Sequence, residues 1–208
     1  MVCTLCTAKT TEFSIVKGKT YYHCSNCDGI MLPEACFLSK DEEKKRYDTH
    51  NNDITDPDYQ NFVSPIVDSI VIDYNKNHKG LDFGSGSGPV ITEMLRNQEY
   101  DIQTYDPFFD PNPQVLHTTY NYIACCEVME HFFNPKKEFK LLYSLLKRGG
   151  RLYCKTNLYD KSIDFDFWWY KNDPTHVFFY TKKTLIWIKE YFNFNELIVS
   201  KKLITFKK

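Results

Sequence analysis

The chain is short of glycine, with eight in 208 residues, and it has no apolar run long enough to cross a bilayer, which excludes a helical membrane protein. It also lacks an excess of either charge. Lys and Arg total 26 against 27 Asp and Glu, a formal net charge of −1, so composition builds in no general attraction to nucleic acid or another polyanion. Met1-Val2-Cys3 runs straight into polar sequence without the basic and apolar stretches of a secretory signal, so a cytoplasmic setting is expected. Internal repeats are absent, as is low complexity beyond the lysine-rich terminus. What is present is a soluble, globular composition, 42% apolar and 16% aromatic, long enough for one fair-sized domain and a small appendage.

Cysteine, by contrast, is plentiful, and four of the eight are spaced as metal ligands. Cys3-Thr-Leu-Cys6 and Cys24-Ser-Asn-Cys27 are two C-x-x-C pairs, each able to form a knuckle that turns two thiolates toward one ion. Between them FSIV and TYYHC read as short strands joined at Lys17-Gly18-Lys19, the pattern of a zinc ribbon over residues 1–37. Zinc is the expected metal and iron the thiolate alternative; a redox C-x-x-C or free buried thiols are the competing readings. Four protein thiolates leave no open position for substrate, so such a site is structural. Cys36, Cys125, Cys126 and Cys154 lie outside the pattern and read as small buried hydrophobes.

Half of the glycines fall in one stretch, GLDFGSGSGPV, residues 80–90, where the backbone must turn tightly or lie against a ligand. A dinucleotide fingerprint would need a third glycine where Pro89 stands. The motif is instead Asp82-x-Gly84-x-Gly86-x-Gly88. GLDF reads as a strand leading into it and PVITEMLRNQ as a helix leading out. The next strand, YDIQTYD, ends at Asp106, where nucleotide-binding α/β folds place a carboxylate on ribose hydroxyls. Further elements follow the same patterns. A helical run starts at Asp41, and a second helix places Phe62, Ile66, Val67, Ile70, Val71 and Tyr74 on one stripe and closes at His78-Lys79-Gly80. QVLH is a brief strand and YNYIACC a buried one. Phe139, Leu142, Leu145 and Leu146 face inward from a helix stopped by Lys147-Arg148-Gly149-Gly150. RLYCKTNLY is a strand, a helix starts at Thr181, and two strand-like pieces end the chain.

Taken in order, the acid-x-G-x-G-x-G loop, Asp106, Glu127-Val-Met-Glu-His131 and Leu146-Lys-x-Gly-Gly-x-Leu152 resemble a class I S-adenosylmethionine-dependent methyltransferase, of the branch that includes the ubiquinone-biosynthesis O-methyltransferases. The resemblance covers roughly residues 40–205. It implies a doubly wound α/β sheet of Rossmann-like type for residues 38–208, with the cofactor across the carboxyl ends of its first strands. Carried over by position, it implies a cofactor site of Asp82, Phe83, Gly84, Ser85, Gly86, Gly88, Asp106, Pro107, Phe108, Cys126, Glu127 and His131. Asp82 would lie near the cofactor's ammonium group, Gly84 and Gly86 would let the backbone approach its methionine part, Cys126 and Glu127 would line the methionine end, and Phe108 or Phe109 would lie against adenine. The family usually has a helix between its second and third strands; here the proline-rich DPFFDPNPQVLHTT fills that interval.

The sulfonium of that cofactor is already activated, so the protein has to place an acceptor and, for a hydroxyl, remove its proton. His176 is the first candidate base, with Asp173 to orient it and His131 as a further candidate; Trp168, Trp169, Tyr170 and Tyr180 are candidate pocket walls. Structural roles for both histidines and core roles for the aromatics are the competing readings. Arg46-Tyr47 with His50-Asn51 is either a lid or a solvated helix end. A small-molecule acceptor, such as a sugar or a biosynthetic intermediate, is the leading expectation. RNA is the second, because Lys9, Lys17 and Lys19 make the ribbon locally basic and Tyr21 and Tyr22 are candidates for stacking on bases. A non-catalytic interaction protein on a methyltransferase scaffold is the third. No membrane partner is expected.

Overall fold

Along Tyr120–Cys126, Tyr122 and Ala124 point to one side and Ile123 and Cys125 to the other, and all four are buried. A strand apolar on both faces must lie inside a sheet covered on both sides. The computed structural model, which describes residues 1–49 and 52–208, has that arrangement. In chain order its strands are β1 (Thr11–Val16), β2 (Lys19–His23), β3 (Ile30–Met31), β4 (Lys79–Phe83), β5 (Asp101–Tyr105), β6 (Tyr120–Cys126), β7 (Leu146–Lys155), β8 (Phe178–Phe179), β9 (Glu196–Val199) and β10 (Ile204–Lys207). The α-helices are α1 (Lys40–Tyr47), α2 (Pro57–Asp73), α3 (Val90–Arg96), α4 (Pro135–Leu145) and α5 (Lys182–Tyr191).

The main sheet runs β5-β4-β6-β7-β10-β9. Its first four strands are parallel, and the terminal hairpin adds β10 antiparallel to β7. One face carries α2 and α3, whose Val63, Ile66, Val67, Ile70, Val90, Ile91 and Leu95 pack on Tyr122, Ala124 and Tyr153. The opposite face carries α4 and α5, with Phe139, Leu142, Leu185 and Ile188 against Ile123, Cys125, Leu152 and Phe206. This is the expected doubly wound α/β sheet. The chain steps from β4 out to β5 and back past β4 to β6, so the loops after β4 and β6 flank a topological switch point, where such sheets bind ligands.

A second sheet, β1-β2-β3-β8, holds the N-terminal ribbon. Its fourth strand comes from the other end of the chain: β3 pairs antiparallel with β8 through Ile30 with Phe179 and Met31 with Phe178. Tyr21, Ile30 and Leu32 share a cluster with Phe165, Trp168 and Phe179, so ribbon and main fold bury apolar surface together. Tyr21, a candidate base-stacking residue in the sequence, is buried with its ring 4.9 Å from Phe165.

Several local expectations change. The second helix closes at Asp73, and Lys79 and Gly80 belong to β4, because the glycine gives the Tyr122 ring room against the strand. On that helix Val63 is buried, whereas Phe62 and Val71 are exposed. Gln114–His117 lies in a 3-10 turn and is not a strand: Asn112 caps it, accepting from Gln114 N–H, and Pro113 pre-sets its first φ. Leu146-Lys147-Arg148-Gly149-Gly150 opens β7, with Gly149 at φ +78°.

A Cβ at Gly80 would stand 2.0 Å from the Tyr122 ring. Gly80→Ala is expected to lower stability by about 1–3 kcal/mol through overpacking, read as a lower midpoint in urea denaturation with the m-value unchanged.

Candidate active site

The loops after β4, β5 and β6, helix α1 and the segment 169–176 enclose a cleft of about 1250 Å³. Phe83, Gly84, Ser85, Gly86, Asp106, Pro107, Phe108, Cys126, Glu127, His131, Asp173 and His176 all line it. Residues nominated from four separate stretches of sequence therefore meet in one cavity. Asp82 and Gly88 do not line it. Asp82 lies buried under the glycine loop, where its carboxylate accepts from Thr92 Oγ1 at 2.9 Å. A Cβ on Gly88 would lie 1.8 Å from the carbonyl oxygen of Asn52, so that glycine makes room for the chain crossing the loop.

Gly84 adopts φ +80°, a conformation that L side chains rarely take, and it packs against Val128. The loop is then tied to the end of β5. Gly84 N–H donates to Tyr105 O at 2.8 Å, and Gly86 N–H donates to Asp106 Oδ2 at 3.0 Å. Asp106 Oδ1 accepts from the backbone N–H groups of Phe108 and Phe109 at 2.8 and 3.0 Å. These three bonds occupy most of the roughly four acceptor positions of a carboxylate. Asp106 therefore organises the loops as well as facing the cleft.

At the other end the buried turn after β6 concentrates acid. Glu127 stands at φ +52°, a strained conformation for glutamate and one typical of functional turns. The Tyr170 hydroxyl lies 2.5 Å from Glu130 Oε1 and 3.1 Å from Glu127 Oε2, with Thr156 Oγ1 at 3.0 Å. Burial, then the neighbouring Glu130, pushes the Glu127 carboxyl up to about 8; burial pushes Glu130 up to about 7. His176 is lowered to about 4 by burial first and then by the nearby His131. The two imidazole centroids are 4.8 Å apart.

Asp173 does not orient His176. His176 Nδ1 is held by the Tyr170 carbonyl at 2.7 Å, whereas Asp173 takes Arg46 Nη2 at 2.7 Å and Thr175 Oγ1 at 2.5 Å. Burial works to raise the Asp173 carboxyl, but the bonds from Thr175 and Arg46 outweigh it and hold the group well below the usual carboxylate range. Of the four nominated aromatics, Trp169 and Tyr170 reach the cleft; Trp168 and Tyr180 are core, Tyr180 donating to Met129 O at 2.8 Å. Phe109 lines the cleft beside Phe108.

Residues that sequence reasoning missed come mainly from α1 and the E-x-x-E turn. Lys40 and Glu43 of α1 line the cleft together with Arg46 and Tyr47, which the sequence had nominated, and the Tyr47 ring lies 5.3 Å from Phe108 and 5.5 Å from His131. Helix α1 thus bridges the cleft. His50 and Asn51, nominated with Arg46 and Tyr47 as a lid, lie outside the described residues. Glu130 could have been found from its three-residue spacing to Glu127. The N-terminal cysteines also converge. Cys3 and Cys27 Sγ are 3.5 Å apart, Cys6 and Cys24 Sγ 3.3 Å, and all four lie within 4.8 Å of one another. A tetrahedron of 2.3 Å Zn–S bonds has edges of about 3.8 Å, so the cluster is of the right size for zinc.

A parallel-centred sheet with a glycine loop and an acid at its switch point defines a Rossmann-like α/β protein whose cleft lies where such sheets bind ligands. A family profile described as methyltransferase domain matches residues 55–199, and the chain belongs to that family. Similar folds include an O-methyltransferase family protein from Burkholderia thailandensis, with TM-score 0.55 and 11% identity over 79% of this chain and 61% of that one. The 1,6-didemethyltoxoflavin-N1-methyltransferase of Burkholderia thailandensis, solved with 1,6-didemethyltoxoflavin and S-adenosylhomocysteine, has TM-score 0.54 and 13% identity over 97% of this chain and 99% of that one. A SAM dependent methyltransferase from Archaeoglobus fulgidus has TM-score 0.51 and 17% identity over 70% and 94%. The chain spans 60% and 61% of the length of two of the solved proteins it matches. At these identities the likeness speaks for the fold alone. No curated protein matches the chain. Among the described residues no helix is long and apolar enough to cross a membrane.

Burial raises the Asp82 carboxyl to about 6. In the unfolded chain the group ionises near its ordinary value of about 4, so between about pH 4 and 6 the folded protein binds the extra proton and loses stability as pH rises. Asp82→Asn is expected to be more stable than the wild type at pH 7 by on the order of 2 kcal/mol, the gain vanishing by pH 4. Urea denaturation of both proteins across that range checks it, and a pH-independent difference would refute it.

Proposed function

We propose that the protein is an S-adenosylmethionine-dependent methyltransferase that acts on a small-molecule acceptor, with a structural zinc in its N-terminal ribbon. The observation that carries the reading is the cleft. Its volume of about 1250 Å³ exceeds the roughly 300–1,000 Å³ of a pocket for one small ligand, as a donor and an acceptor side by side require. The Gly84–Gly86 backbone and Asp106 form its donor end. Trp169, Tyr170 and the two histidines form its acceptor end.

The donor group fits the residues present. Asp106 keeps acceptor capacity toward the cleft for a ribose hydroxyl, Phe108 and Phe109 offer apolar faces beside it, and the buried Asp82 supplies negative charge beneath the glycine loop. Once bound, the sulfonium supplies an activated methyl group. The protein's own residues then orient the acceptor, with Arg46 and Tyr47 of α1 among the residues that line the cleft.

The ribbon supports that wall. Leu32 N–H donates to Val177 O at 2.9 Å, one residue past His176, and Thr181 Oγ1 donates to Asp28 Oδ2 at 2.8 Å beside the second cysteine knuckle. A zinc ion holding Cys3, Cys6, Cys24 and Cys27 together therefore braces the segment that carries His176. The division into residues 1–37 and 38–208 is one of metal-dependent and sheet-dependent folding, with the two parts sharing a core.

Calorimetry with S-adenosylhomocysteine is expected to give one site per chain, weakened at least tenfold in Asp106→Ala. A folded protein that binds no nucleoside would overturn the enzyme reading in favour of a scaffold. Metal analysis is expected to find one ribbon zinc per chain. Cys24→Ser is expected to lose it and to lower the thermal midpoint by about 10 °C or more; an unchanged midpoint would remove zinc from the structural role.

A further inference from the structure

Behind the acceptor end lies a group of side chains that holding a nucleoside does not require. Glu130, His131 and His176 each bring one ligand-capable atom within 4.8 Å of the others. They come from two places in the chain, the turn after β6 and the loop before β8. His131 Nδ1 lies 3.1 Å from the Thr175 carbonyl oxygen, and His176 Nδ1 lies 2.7 Å from that of Tyr170. A carbonyl only accepts, so each neutral ring carries its proton on Nδ1 and a lone pair on Nε2. An imidazole that donates its far N–H to a backbone carbonyl is oriented as metal-binding histidines usually are. His131 Nε2 stands 3.9 Å from Glu130 Oε1.

A second observation is independent of the histidines. Glu130 is wholly buried, and its Oε2 and the buried Oε1 of Glu127 accept no hydrogen bond from a neighbouring donor; the two carboxyl groups lie close enough to hold a proton between them, which a bound cation would replace. The remaining oxygens of both carboxylates share the one Tyr170 hydroxyl. Buried acceptors are otherwise satisfied, and buried carboxylates are paired or hold a metal. Two imidazole nitrogens and a carboxylate oxygen form a donor set suited to Mn²⁺, Fe²⁺, Co²⁺ or Zn²⁺ more than to Mg²⁺ or Ca²⁺.

We propose that Glu130, His131 and His176, with Glu127 alongside, bind a divalent first-row cation at the acceptor end of the cleft. The two histidines line the cleft and Glu130 is buried behind them, so a bound ion faces the acceptor. There it would polarise an acceptor oxygen or nitrogen and lower its pKa, so that the acceptor's proton passes to solvent water as the methyl group is transferred, which makes the histidines ligands and not proton acceptors. That catalytic consequence rests on the methyltransferase reading; binding of the ion does not.

The test uses the full chain with its ribbon loaded with zinc and free metal removed. Mn²⁺ binding is followed by loss of the free-ion paramagnetic resonance signal, Co²⁺ binding by its visible absorption, and further zinc by metal analysis. One ion per chain beyond the ribbon zinc is expected, with affinity falling at least tenfold in His176→Ala and in Glu130→Gln. Near-ultraviolet circular dichroism establishes that the variants are folded, and Glu130→Gln carries the test if His176→Ala is not. Absence of any second ion, or undiminished binding by the folded variants, overturns the site. S-adenosylhomocysteine calorimetry on the same samples separates the two readings. Nucleoside without a second ion removes only the cation site, and a second ion without nucleoside removes only the methyltransferase reading.

Discussion

Val177 donates its N–H to the carbonyl of Glu130 and accepts at its own carbonyl from Leu32 N–H. Both bonds are buried, and a buried backbone group without a partner costs as much as a lost hydrogen bond, so neither can be released cheaply. Through this residue the ribbon, the turn after β6 and the loop carrying His176 hold one another in register. The adjacent pairing of β3 with β8 extends the same ladder, and Tyr180 closes it by donating to Met129 O. The segment that carries His176 is therefore held in place by the first forty residues as well as by the main sheet.

That rigidity allows acid to be buried. Glu127, Glu130 and Asp82 all sit where burial opposes ionisation, and Glu127 also keeps a left-handed backbone. Strain and desolvation of this kind persist only when surrounding packing over-determines the conformation. Here β6 supplies it, buried on both faces between two helical layers. The cost falls at the carboxyl end of the strand, where the cleft opens.

The short connection between β5 and β6 shapes the end of the cleft beside Asp106. Where the family usually places a helix, residues 106–119 form a proline-rich turn anchored on Asp106, which pairs with Asp110 across it. Phe108 and Phe109 project from that turn into the cleft, and Tyr47 reaches Phe108 from α1. Helix α1 is fastened on the far side by Arg46 to Asp173, an ion pair that excludes Asp173 from the role beside His176 that its position in the chain invited. The cleft is thus roofed by a helix from outside the sheet.

The glycine loop, Asp106, the E-V-M-E-H turn, the paired cysteines and most strands were legible in the sequence, because each is carried by neighbouring residues whose type limits the local backbone or chemistry. Apart from the turn at Gln114–His117, which Asn112 and Pro113 set locally, the misreadings fell where a distant partner decided the outcome. Gly80 belongs to a strand because of Tyr122, Tyr21 is core because of Phe165, and Trp168 is core because the ribbon packs on it. Sequence alone determined a methyltransferase-like sheet with a four-cysteine ribbon and named most of the residues that line its cleft. Only tertiary structure decided that Arg46 would meet Asp173 across 127 residues, that β3 would pair with β8, and that Glu130 would lie beside His176. Those contacts are set by which surfaces are buried together, and no local periodicity encodes that choice.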